Sequence, residues 1–345
     1  NHKNQVLTSY AGYSTDGSIL KQSSSGGMFG SFAKYLFNSN TNVKVFAVKN
    51  DLGKVVYEIC TDYRDLEQFY KSKYCQAFLN KAFYERLISA ISNEAVCLII
   101  GTPCVLSGIK NTLLAQKAKL TSCIFVDLVC HGVMSQSVYH THLEECKKRW
   151  GGVVTQHYFR YKRAVTKDCP EGSHWNLYKV NNEIIIKKSD DDYYMQTYFA
   201  DLAMRETCYC CQFTGTNRIG DITIGDFNNA HILCSQFDGL RSVSLVLVNT
   251  DKGQRFIDEC NNNTVNLQPV DIKLLQKFNT PLTAPIKRPF QRSLFYTFYN
   301  SLGLSRTVSL LNYKYYLRKI IVAFGGKKLL LKIKALLGRS YIDIE

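Results

Sequence analysis

Four cysteines in three segments have the residue type and spacing for metal or electron chemistry. Cys104 follows the apolar run AVCLIIG (95–101), Cys130 closes the next such run in DLVCHG, and Cys208 and Cys211 form a CxxC pair. Two sulfurs at that spacing reach one metal centre, and thiols at neighbouring strand ends can converge on the same place. Four soft thiolates suit either a [4Fe-4S] cluster or zinc. A structural zinc site usually carries two CxxC pairs; one pair plus two single cysteines favours the cluster. Cys130 beside His131 also has the composition of a thiolate next to an imidazolium. Neighbours on a strand point to opposite faces, however, and no triad order accompanies the pair. His131 suits a structural hydrogen bond as well as it suits proton carriage or a cofactor contact.

The chain has 13 cysteines, and its polar start NHKNQVLTSY lacks the apolar core of a secretory signal. A disulfide framework is therefore a poor explanation of the count. Cys97 and Cys123 lie in apolar runs and read as small buried hydrophobes. Cys60, Cys146, Cys234 and Cys260 have no partner pattern and read the same way.

The elements that must position the thiols follow from the apolar pattern. Strand-length runs occur at 43–48, 95–101, 123–129, 183–187, 221–227 and 244–250, and their continuous Val/Ile/Leu character predicts strands covered on both faces. Helical patterns lie between several of them, at 26–37, 79–92, 104–117 and 135–150. The alternation predicts an α/β fold, a mixed sheet with flanking helices. Two strand-to-helix junctions stand out. SSSGGMF offers Ser23, Ser24 and Ser25 as caps and Gly26 and Gly27 as close-approach residues at a helix start, where free N–H groups attract phosphate. GTPC (101–104) occupies the position where open α/β sheets bind ligands.

The 345 residues are 46% hydrophobic and 21% charged, a globular composition. No run of about 18 apolar residues is present to span a membrane, so a cytoplasmic protein is expected. The net charge is +15, and residues 272–342 hold 14 Lys and Arg with no Asp or Glu. The body is close to neutral and the tail carries the field. NTPLTAPIKRP (279–289) reads as a linker, which divides the chain into residues 1–278 and a basic helical tail, 279–345. In 314–339, Leu329, Leu330, Ile333 and Leu337 recur at helical spacing among Lys328, Lys332 and Arg339. Such a helix can lie in an anionic bilayer surface or pack its apolar face on the body. No nucleic-acid-binding motif accompanies the charge.

The ordered series SSSGGMF, SKYCQAF, LIIGTPCVLSGIK, FVDLVCHGVMSQSVY, YFRYK, RETCYCCQF, RIGDITIGDF and SVSLVLVNTDKG resembles the coenzyme F(420) hydrogenase and dehydrogenase beta subunits. That family also includes the chlorophyll-cycle hydroxymethyl reductase and bacterial proteins found with polysaccharide-biosynthesis genes. The resemblance covers roughly Tyr10 to Gly253. It implies a mixed α/β protein containing FAD and an iron–sulfur cluster. Ser25, Gly26 and Gly27 would lie against the flavin, and Ser72, Lys73 and Tyr74 would line the same site. Gly101, Thr102 and Pro103 with Cys104, then Cys130, His131 and Gly132, match the two central motifs, and Cys208 and Cys211 the later one. Cys104, Cys130, Cys208 and Cys211 are thus the expected cluster ligands, and His131 and Lys73 the expected catalytic residues. Arg160 and Lys162 match a basic FRxK motif suited to an anionic group.

Asp226 belongs to a GDF motif whose usual Trp-Gly sequel is Asn228-Asn229 here. Cys75 and Cys210 are thiols the family usually lacks. Many members begin with a ferredoxin-like segment bearing two cluster motifs, and none precedes Tyr10. Electrons are therefore expected from a separate ferredoxin-like donor, or from a segment missing upstream of Asn1. The resemblance implies electron transfer through a [4Fe-4S] cluster and FAD to an organic acceptor, a small molecule or lipid-linked sugar; the charge of the tail, separately, leads to the expectation that it lies at the inner membrane face. The competing expectation is a non-catalytic member with a structural metal, serving as an assembly partner.

Overall fold

Each continuous Val/Ile/Leu run becomes a strand because β-branched side chains suit a pleated surface with packing on it. The computed structural model describes residues 3–51, 53–162, 174–227, 230–237, 242–261 and 263–312. Its strands are β1 (Asn4–Gln5), β2 (Thr8–Ser14), β3 (Val43–Asp51), β4 (Lys54–Cys60), β5 (Val96–Gly101), β6 (Cys123–Leu128), β7 (Val154–Tyr158), β8 (Trp175–Val180), β9 (Glu183–Lys188), β10 (Asn217–Arg218), β11 (Ile222–Asp226), β12 (Ser244–Val248) and β13 (Val265–Pro269). Eight form one mixed sheet in the order β13-β2-β12-β11-β6-β5-β3-β4. Its centre, β11, β6, β5 and β3, is parallel, with antiparallel β4 at one edge and antiparallel β12, β2 and β13 on the other side.

Helices α1 (Gly17–Gln22), α2 (Met28–Ser39), α3 (Lys81–Ser92), α4 (Pro103–Ala115), α5 (Gln136–Trp150), α6 (Tyr193–Phe199), α7 (Ala230–Leu233), α8 (Asp251–Cys260) and α9 (Ile272–Phe278) separate the strands. Alternate strand residues serve opposite faces. Leu98 packs with Phe32 of α2 and Phe256 of α8, whose rings meet edge to face at 5.4 Å. Ile99, its neighbour, packs with Phe83 of α3 and Leu106 of α4 on the other face. Cys97 and Cys123 are buried in this second layer, as small hydrophobes would be, and Cys60, Cys146 and Cys260 are buried too, while Cys234 is half-buried.

The run at 183–187 departs from expectation. It is an edge strand of a separate antiparallel sheet, β7-β8-β9, and Ile184 is 61% exposed. One open face leaves alternate residues uncovered. This small sheet is joined to α5 and α6 by polar aromatic contacts. Tyr139 donates to His157 Nδ1 (3.1 Å), His142 Nε2 meets the Tyr178 hydroxyl (2.9 Å), and that hydroxyl donates to Asp192 (2.5 Å).

Two compact units divide the chain at Pro289 and Phe290. Residues 279–289, read as a linker, belong to the first unit, where Leu282 and Ile286 are buried. The apolar residues between the prolines anchor the segment. The second unit begins with α10 (Arg292–Leu302) and α11 (Leu304–Leu311), joined at Gly303 with φ +78°. The expected amphipathic helix at 314–339 lies outside the described residues. No described helix is long and apolar enough to cross a membrane.

Candidate functional site

A cleft of about 570 Å3 opens beyond the carboxyl ends of β5, β6 and β11, where open α/β sheets take ligands. Its volume is within the range of cofactor sites. Of the four expected thiols, Cys104 and Cys130 line it, whereas Cys208 and Cys211 are not among its lining residues. Thr102 caps α4 and Pro103 occupies its first turn, where a fixed φ favours the helix; Cys104 follows in that turn. Cys130 lies two residues beyond β6, and Gly101 pairs with Asp127 across the β5–β6 ladder, so both thiols leave neighbouring parallel strands on the same side. Cys208 closes a short 3-10 turn (Glu206–Cys208), and its Cβ is 3.5 Å from where a side chain on Gly132 would begin.

The four thiols feel one another. Burial raises the Cys130 thiol well above its usual range, and Cys104, Cys208 and Cys211 add to the rise. Among the described residues, no three His, Cys, Asp or Glu side chains close on one ion. Cys210, on the same turn, is exposed, and Cys75 is buried beside the cleft with its thiol pushed up to about 12 by desolvation.

Two devices hold the thiol segments in register. His131 Nε2 is 2.7 Å from Asp201 Oδ1, and the Asp201 carbonyl accepts the Tyr209 hydroxyl at 2.5 Å. Asp201 thereby joins the residue after Cys130 to the residue after Cys208. Its φ of +55° is a conformation that Asp and Asn adopt more readily than most residues. Deeper in, Arg218 donates to Asp127 Oδ1 at 2.7 Å and to the Phe213 and Gly215 carbonyls at 3.2 Å each, while Asp127 Oδ2 accepts the Ile219 and Gly220 amides. Both partners are buried. This pair ties the loop after Cys211 to the strand before Cys130.

Basic side chains also line the cleft or lie beside it. Lys73 donates to the Phe69 and Tyr70 carbonyls at 2.8 and 2.7 Å. Burial, with Lys71 adding repulsion, brings its ammonium down to about 7. Lys71 itself sits over the Tyr158 and Tyr161 rings at 5.0 and 5.2 Å. Lys162, matched to a motif suited to an anionic group, donates to the Leu20 and Ser25 carbonyls at 2.8 and 3.0 Å and is lowered to about 8, chiefly by burial. Arg160 pairs with Asp226. Tyr74 stacks in a tilted contact on Tyr198, ring centroids 4.5 Å apart.

The serines before α2 are not its caps. Gly27 takes the cap position with φ +87°, and no side chain bonds the first turn. Ser24 instead accepts the Ser72 amide at 2.9 Å, and Ser25 donates to the Val243 carbonyl at 3.1 Å. The uncapped first turn of α2 therefore faces the cleft, where its N–H groups suit an anion. Ser25, Gly27, Ser72, Lys73, Tyr74, Gly101, Thr102, His131, Gly132 and Asp226 all line the cleft, as do Cys104 and Cys130. Gly26 and Pro103 do not. A Cβ on Gly26 would stand 2.5 Å from the Gly12 carbonyl oxygen, so close packing against β2 explains that glycine. Pro103 is buried in the helix start. Tyr57, His174, Tyr198, Phe199 and Arg205 also line the cleft and carry no spacing signal. Asp201, beside it, was equally silent. Lys71, next to the SKY motif, could have been read from the local density of lysines.

A parallel-centred α/β sheet thus carries at its carboxyl edge a cleft lined by basic side chains and by Cys104 and Cys130, with Cys208 packed beside Gly132. The family models for the coenzyme F(420) hydrogenase/dehydrogenase beta subunit match the chain over residues 9–83 (N-term) and 95–273 (C terminus). The chain belongs to that family, whose role is electron transfer of the iron–sulfur oxidoreductase type. A solved structure of the F(420)-reducing [NiFe] hydrogenase complex from Methanosarcina barkeri, studied by xenon derivatization, contains a chain of similar fold. The TM-score is 0.54 at 14% identity, over 81% of this chain and 90% of that one. No curated protein matches the sequence.

Proposed function

We propose that the protein is an FAD-dependent iron–sulfur oxidoreductase, taking electrons from a ferredoxin-like donor and delivering them to an organic acceptor. The observation that carries this reading is that one cleft is lined both by Cys104 and Cys130 and by Lys71, Lys73 and the α2 amino terminus. The four cysteines would hold a [4Fe-4S] cluster. The α2 terminus and Lys73 suit the pyrophosphate of FAD, and Tyr74 offers an aromatic face. When bound, the flavin supplies the hydride chemistry. His131, oriented by Asp201, is placed to hold a proton at Nε2 or Nδ1 beside the cleft.

At the rim, Arg160, Arg205, His174 and the half-exposed Phe199 suit an acceptor with a ring and an anionic group. A sugar phosphate or lipid-linked sugar in polysaccharide synthesis has that character. Anaerobic purification followed by a visible spectrum and analysis of iron and acid-labile sulfide tests the reading. Flavin bands that survive desalting and about four irons per chain, the content of one cubane cluster, are expected. Single Cys→Ala variants at the four positions should each lose iron. A colourless, iron-free protein would overturn the proposal.

A further inference from the structure

Gly101 has no side chain because another residue occupies the place where one would stand. The Tyr57 hydroxyl oxygen lies 2.1 Å from the position of a Cβ on Gly101, at the entrance to the turn that carries Cys104. Tyr57 comes from β4, remote in sequence. It is buried, its ring packs edge to face on Phe83 at 5.6 Å, and it lines the same cleft as Cys104 and Cys130. Its oxygen lies beside the Gly101–Thr102 backbone, and the Cys104 and Cys130 thiols are the ionisable groups that act on it most strongly. Burial keeps the phenol protonated, so its hydroxyl has a proton to donate. A phenylalanine would fill the ring site equally well, so the hydroxyl calls for its own explanation.

We infer that Tyr57 is a positioning residue for the thiol quartet, its hydroxyl directed by Thr102 and Gly101 toward the sulfurs of Cys104 and Cys130 to set the redox potential held there. The inference rests on the proposed cluster. Hydrogen bonds to ligand sulfurs favour the more negatively charged, reduced state and raise the potential. Without a side chain, Gly101 lets the hydroxyl approach; with one, it would be pushed aside.

The test is a spectroelectrochemical titration of the full chain, purified anaerobically, for wild type and Tyr57→Phe, with iron content measured in parallel. Tyr57→Phe should keep its iron, while the reduced-to-oxidised ratio at a fixed applied potential falls about fivefold, the scale of one hydrogen bond. That corresponds to about 40 mV at 59 mV per tenfold for one electron. Gly101→Ala should shift the ratio the same way by displacing the hydroxyl, and the double variant should go no further than Tyr57→Phe. A loaded wild type and Tyr57→Phe with equal potentials would overturn the inference alone. Wild type without iron would overturn it together with the cluster reading.

Discussion

Lys73 combines a depressed ammonium pKa with two backbone carbonyl partners, so its charge changes close to neutrality. Protonated below about 7 and neutral above it, it favours an anion only on the acid side. FAD binding, followed by quenching of flavin fluorescence, should be tighter at pH 6 than at pH 9, and Lys73→Met should flatten that part of the profile. Identical profiles for the two proteins would exclude Lys73 from the anion site. Asp201 acts differently, through geometry. Asp201→Asn keeps a residue suited to φ +55° and an acceptor for His131, whereas Asp201→Ala loses the acceptor and strains the backbone by about 1–3 kcal/mol. Iron per chain should hold in the first variant and fall in the second; equal iron in both would show that the clasp does not position the thiols.

At the scale of elements, the junction of α5 with the small sheet depends on uncharged histidine. Burial lowers His157 to about 3, and its two nitrogens are occupied by Tyr139 and Asn176. The unfolded chain takes up a proton near the ordinary histidine value while the folded chain does not, so the stabilising contribution is complete above about 6.5 and is lost as pH falls toward about 3. The melting temperature should drop between pH 7 and pH 4.5, and less steeply in His157→Gln. A second element-level contact is Arg218 with Asp127. Arg218→Met would leave a buried carboxylate without its cation, a loss of about 3–5 kcal/mol readable by denaturant unfolding. A change near zero would mean that the Ile219 and Gly220 amides alone satisfy Asp127.

For the whole molecule, charge partition is the dominant fact. The 14 basic residues between positions 272 and 342 face no acidic residue in that stretch. At about 1 kcal/mol per basic residue near an anionic surface, four or five in contact suffice for reversible attachment. Intact protein should float with phosphatidylglycerol-rich vesicles at low salt and dissociate in high salt. Truncation before residue 313 should abolish flotation, and equal binding to neutral vesicles would exclude the electrostatic account.

Local order was legible in the amino-acid sequence wherever neighbours in the chain decide it. The central strands, the helices between them and the placing of Cys104 and Cys130 after adjacent strands follow from apolar periodicity and strand-to-helix junctions. EIIIK looked like a core strand because composition reports apolarity but not how many faces the fold will cover. The serines of SSSGGMF looked like caps because a hydroxyl before a helix reads alike whether it bonds that helix or, as here, residues 72 and 243. Tyr57, Asp201 and the Arg218–Asp127 pair were invisible for a common reason. Each acts across 44 to 91 positions of chain, and such pairings exist only once the parallel ladder has set which strand lies beside which. Sequence spacing thus picked out the candidate thiols, while tertiary packing chose the groups that surround them.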